Sequence, residues 1–269
     1  MKISRITKQK RGNRYNIFIM DNGQESFGFG VDEDILVKYH LHKNMPLSES
    51  LIATLKQQDT IQKSYQQAIN YLSYRMRSRF EMEQYLQQKD VEQIHINEII
   101  ERLESAGLLD DLEFANAFVR ERMNQSNKGP RYVKQELVKL KGIADNIASE
   151  ALEQYTFASQ FELAMKTAKR HIRRESKDSL QKKIQRLQAA LLRNGFYSDV
   201  IQEVIQESKH LMQEQHDEWQ AIKTHGEKLL QRHKKNYNGH ELKQKVMEGL
   251  YRQGFSFDQI NKFLAKHHL

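Results

Sequence analysis

The chain has 269 residues, with 38% hydrophobic and 29% charged side chains and a mean hydropathy of −0.80. That suits several thin modules with much exposed surface better than one thick globule. With no cysteine, disulfide frameworks, thiolate metal sites and cysteine nucleophiles are excluded, which fits a reducing compartment. A formal net charge of +8 and a pI near 9.4 point to a polyanionic partner. Met1 to Arg14 holds six basic residues and no apolar core of a signal peptide. No run of about 18 apolar residues offers a membrane span, so a soluble cytoplasmic protein without membrane contact is expected.

The first thirty residues differ from the rest. Tyr15 to Met20 and Ser26 to Phe29 are β-prone runs around Asp21-Asn22-Gly23, whose Asn-Gly pair favours a hairpin turn. Helical patterning begins near Val31 to Tyr39, resumes at Ser48 to Leu55 beyond Pro46, and dominates from about residue 64. Only two prolines and 12 glycines interrupt the chain, so helix is the default state of its polar stretches.

From residue 64 the sequence repeats. A helix end of the form apolar-apolar, two or three polar residues, Gly, apolar recurs as Leu137-Val138 with Lys141-Gly142-Ile143, as Ala190-Leu191 with Asn194-Gly195-Phe196, and as Gly249-Leu250 with Gln253-Gly254-Phe255. A degenerate copy precedes them: Tyr85-Leu86 with Lys89-Asp90-Val91. The marker positions 90, 142, 195 and 254 lie 52, 53 and 59 residues apart. Glycine there suits the left-handed residue that closes a helix, and Asp tolerates that conformation better than most residues. Soon after each marker an apolar pair follows, at Ile99-Ile100, Ala151-Leu152, Val204-Ile205 and Phe263-Leu264. Asp145, Asp199 and Asp258 stand where N-caps of those short helices are expected. A further helix precedes each hairpin. The expected fold is therefore mainly all-α: tandem three-helix repeats over 64–110, 111–158, 159–212 and 213–269, forming an elongated curved arc, after an N-terminal β-hairpin and helices at 1–63.

Several residues have the familiar pattern of one family. They are Ala68, Leu72, Arg75, Ser78, Glu81-Met82 and Leu86; then Gly107-Leu108-Leu109-Asp110-Asp111 with Phe114-Ala115; then Lys128-Gly129-Pro130-Arg131; then Glu136-Leu137 and Lys141-Gly142-Ile143. This pattern resembles the RecX family, closely over 68–157 and more loosely to the end. The N-terminal extension resembles that of longer members from Gram-positive bacteria. Asp90 stands where glycine is common, and Met82 where leucine is. The resemblance implies a non-enzymatic regulator that docks in the groove of the RecA–DNA filament. It would restrain ATP hydrolysis, filament growth and strand exchange in recombination, DNA repair and the SOS response.

Each chemical motif also has a plainer reading. Ser78 with Glu81, and Asp110 with Glu113, have the spacing of helix caps; Asp110, Asp111 and Glu113 as a nuclease metal cluster is the sharper alternative. Lys128-Gly129-Pro130 lacks a phosphate-loop pattern and reads as a helix start with proline in first position. Phe114, Phe118, Phe196 and Phe263 fall at apolar periodic positions and are expected in cores. His225, His233 and His240 do not have zinc spacing, and no motif calls for a cofactor.

The basic residues carry the functional reading. Between Met165 and Asn194 ten Lys or Arg face two acids, Glu175 and Asp178. The candidate nucleic-acid or filament contacts are Lys169, Arg170, Arg173, Arg174, Lys182, Lys183 and Arg186 there, extended by Arg75, Arg77 and Arg79 and by Lys128, Arg131 and Lys134. Contacts to phosphate predict sequence-independent, salt-sensitive binding of single- or double-stranded DNA by a monomer. A general DNA-binding repeat protein acting without RecA is the competing expectation.

Overall fold

The structure is a computed structural model describing residues 1–10, 12–173, 178–215 and 217–269. It divides into two compact units, the first comprising 1–114 with 141–143, the second 115–140 with 144–269.

The first unit begins with a three-stranded antiparallel sheet, β1 (Lys2–Lys8), β2 (Arg14–Asp21) and β3 (Gln24–Asp32), in that order. The expected hairpin is β2 and β3; its turn has positive φ at both Asn22 and Gly23, the combination that matches the twist of paired strands. β1 adds a third strand to that expected hairpin. Ile3, Ile17, Ile19, Phe29 and Val31 bury one face of the sheet against Ile35 of α1 (Glu33–Lys38) and Leu55 of α2 (Glu49–Leu72). The buried Asp59 of α2 accepts from the Arg14 guanidinium at 2.7 Å and from the Asp32 backbone at 2.9 Å, tying strand ends to the helix.

α2 runs 24 residues without a break and serves two cores. Beyond Asp59 its Ile61 and Ala68 pack with Met82 and Leu86 of α3 (Arg79–Gln87) and with Ile96, Ile99, Ile100 and Leu103 of α4 (Gln93–Ser105). These are the three helices of the first repeat.

The remaining helices are α5 (Asp111–Gln125), α6 (Pro130–Lys141), α7 (Asp145–Ala151), α8 (Phe157–Ile172), α9 (Leu180–Arg193), α10 (Ser198–Gln215), α11 (Glu218–His233), α12 (Gly239–Arg252) and α13 (Phe257–Lys266). Pro130 opens α6 as expected, where a missing N–H costs nothing. Phe114, Phe118, Phe196 and Phe263 are buried. Asp145, Asp199 and Asp258 are not N-caps: each lies inside its helix, within the first two residues. The caps are Ala144 for α7 and Ser256 for α13, the latter in a capping box with Gln259. The aspartates thus act through the helix dipole rather than by capping.

Candidate nucleic-acid and filament interface

The marker turns position the candidate cations. In the first unit the Ser78 hydroxyl accepts from the Glu81 backbone at 3.2 Å and donates to the Lys141 carbonyl at 2.7 Å, so one side chain caps the start of α3 and the end of α6. A Cβ on Gly142 would stand 2.4 Å from the Phe80 Cβ. Within the second unit the start of α6 meets the end of α9: Gly129 donates to the Asn194 carbonyl at 2.7 Å and Arg131 to the Gly195 carbonyl at 3.0 Å. A Cβ on Gly195 would lie 2.4 Å from the Tyr132 nitrogen. Ser179 repeats the Ser78 arrangement at the start of α9, donating to the Gln253 carbonyl at 2.6 Å and accepting from Lys182 at 3.3 Å. The marker glycines therefore admit another helix start at contact distance, besides having positive φ. The signal available in the sequence was the small residue, Ser78, Gly129 or Ser179, immediately before each receiving helix.

These junctions engage many of the candidate cations. Arg75 holds Glu81 through two hydrogen bonds, at 2.9 and 3.0 Å, and Lys141 reaches the same carboxylate at 2.7 Å. Burial opposes ionisation of Glu81, but the hydrogen bonds and charges of Arg75 and Lys141 outweigh it and lower the carboxyl to about 2. Arg79 bridges Glu83 and Glu104, while its backbone donates to Asp111. Burial and the neighbouring Glu104 and Asp110 hold Asp111 above the usual carboxylate range despite that bond. Asp110 caps α5 by accepting from Leu112 and Glu113. The acidic run is thereby engaged at helix starts. Arg77 lies 4.1 Å over the Tyr71 ring, which stacks on Tyr85.

In the second unit Lys128 reaches Asn194 and lies over Tyr132. Arg131 lies over Tyr197, Lys134 pairs with Asp145, and Arg170 reaches Thr167. Lys182 bonds the Gln253 side chain, and Arg186 pairs with Asp178. Lys169 and Arg173, exposed at the end of α8, and the half-buried Lys183 of α9 have no side-chain partner among the described residues. Arg174 lies outside the described residues. A cation already neutralised by a carboxylate has little left for phosphate, which applies to Arg75, Arg79, Lys134 and Arg186 and not to Lys169, Arg173 and Lys183. No described helix is long and apolar enough to cross a membrane.

Family models tile the chain. The RecX N-terminal domain matches 1–48, the first three-helix domain 65–103 and the second 110–152. The third three-helix domain matches twice, at 158–205 and 216–264. The Regulatory protein RecX of Oceanobacillus iheyensis is 46% identical over 98% of this chain and 97% of its own length. The chain belongs to the RecX family. The RecX of Halalkalibacterium halodurans is 38% identical over 97% of the chain and 98% of its own length. Among solved RecX structures, one aligns with 76% of the chain and 98% of its own at 33% identity and a TM-score of 0.68. The crystal structure of RecX from Lactobacillus salivarius covers 56% of this chain and 98% of its own, at 41% identity and a TM-score of 0.54. The double match of the third RecX domain identifies α8–α10 and α11–α13 as two copies of one kind of unit.

Proposed function

We propose that this RecX-family chain is a non-enzymatic regulator of RecA that lies along the groove of the RecA–DNA filament and restrains ATP hydrolysis, filament growth and strand exchange. Its setting is the cytoplasm, in recombination, DNA repair and the SOS response; it acts as a monomer and needs no cofactor. The observation that carries the reading is the tiling of the chain by RecX domains from its first residue to 264. In support, three-helix units joined at regular junctions provide a repeated surface for a polymeric partner.

Purified protein at near-stoichiometric amounts is expected to lower DNA-dependent ATP hydrolysis by RecA; unchanged hydrolysis across a broad titration at modest salt overturns the reading. Lys169, Arg173 and Lys183, without side-chain partners among the described residues, favour a second reading, that of a general DNA binder competing for DNA. That reading predicts equal inhibition of an unrelated DNA-dependent ATPase, whereas a RecA regulator leaves the unrelated enzyme active. Under either reading with direct DNA contact, Lys169→Gln with Arg173→Gln weakens DNA binding and reduces its logarithmic salt slope by about 2.

A further inference from the structure

α11 presents His225, Lys228, Leu229 and Arg232 at the i, i+3, i+4 and i+7 spacing of a single helical face. Together with Gln253, the C-cap of α12, they line a cleft of about 260 Å³. The lining contains no carboxylate. Lys228 and Arg232 are exposed like charges one turn apart, an arrangement that disfavours a helix, and neither has an acidic partner among the described residues. Lys223 on the same helix, by contrast, pairs with Glu227.

Two further groups make this more than a solvated basic face. The Nε2 of His225 is buried and has no hydrogen-bond partner among the described residues, a rarity for a buried polar atom. The carbonyl of Gln253 accepts from Ser179 and its side-chain oxygen from Lys182, which leaves the side-chain NH₂ as its available donor. Histidine, lysine, arginine and glutamine side chains thus border one small volume. A planar carboxylate is satisfied by one guanidinium fork, whereas several donors of different geometry suit a tetrahedral anion with acceptor oxygens on every side.

We propose that this cleft binds a phosphate group, with Arg232 and Lys228 supplying charge, the Gln253 side-chain amide supplying a directed hydrogen bond, and the ring of His225 as the neighbour that senses occupancy. The phosphate comes either from a nucleic-acid backbone or from a free phosphate or nucleotide. The proposal does not rest on the RecA reading, because occupancy of the cleft is measured on the protein alone.

The test follows the ring resonances of His225 in the full chain labelled at histidine, during titration with inorganic phosphate to about 10 mM, well above a millimolar dissociation constant. Sodium chloride at matched ionic strength is the control. A saturable shift of His225 with phosphate, weakened about tenfold or more in a folded Lys228→Gln, Arg232→Gln variant, is expected. Both substituted side chains are exposed, and circular dichroism checks the fold. A short single-stranded oligonucleotide forms the second arm. If it moves the same resonance, the source is the nucleic-acid backbone; movement with inorganic phosphate alone assigns a free anion. No shift with either probe, an equal shift with chloride, or a shift unchanged in the double variant overturns the proposal.

Discussion

Asp90 and Gly195 end their helices in the same left-handed conformation, at φ of 57° and 85°, yet the two turns differ in what lies against them. At Gly195 the start of α6 comes so close that a Cβ would stand 2.4 Å from a backbone nitrogen. Asp90 carries a Cβ and retains the same backbone geometry. Gly107 is a third case, left-handed at φ 66° with nothing within 4 Å of an added Cβ. Conformation alone therefore accommodates aspartate, and close approach is what restricts the marker to glycine.

The largest expected effect breaks this comparison directly. Gly195→Ala combines left-handed strain with a backbone clash and should destabilise the protein by about 3 kcal/mol or more. Urea unfolding that shows no greater loss for it than for Gly107→Ala would remove close approach as the explanation.

Acid titration tests the Ser78 and Glu81 junction next. Glu81 ionises at about 2 in the fold, below its ordinary 4.5, so its contribution is complete above the unfolded value and is lost as pH falls from about 4.5 towards 2. That loss amounts to about 2 kcal/mol, less than the full linkage value because Arg75 stands half-exposed in solvent. Urea midpoints at falling pH should show a steeper decline for the unmodified chain than for Glu81→Gln; parallel declines would show that the pair contributes nothing.

Smaller effects sharpen the contrast. Gly107→Ala carries only the conformational strain, about 1 kcal/mol. Asp90→Gly should change stability by about 0.5 kcal/mol or less, since relief of strain is offset by the greater freedom of glycine in the unfolded chain. A large stabilisation by Asp90→Gly would mean that the aspartate turn is more strained than its geometry indicates.

The periodic residues made much of this fold legible: the apolar pairs at Ile99-Ile100 and Phe263-Leu264, the markers at 142, 195 and 254, and Pro130 at a helix start all have the expected roles. β1 is illegible in the sequence because the alternation of Ile3 with Ser4 and Arg5 sits in a short basic stretch without a turn signal of hairpin type. The caps at Ala144 and Ser256 are hard to tell from the aspartates one or two positions later, because aspartate suits the first turn as well as the cap. Charge was the least legible property. Arg75 and Glu81 are six residues apart and meet only because the chain bends at Ser78, while Arg79 and Glu104 meet across two helices. A count of basic residues cannot separate such pairs from Lys169 or Arg173. Likewise His225 invites comparison with His233 and His240, but its companions in the cleft are Lys228 and Arg232.

α2 has one more consequence, for how the first unit comes apart. Its 24 residues span about 36 Å, and both the sheet core around Leu55 and the three-helix core around Ala68 are anchored on it. Unwinding that passes the middle of the helix from either side reaches the other core's anchors, so loss of one core is expected to carry the other with it as a single cooperative block. Amide protons in the middle of α2, around Asp59 to Ser64, then exchange with solvent only when that whole block opens, more slowly than those at either end.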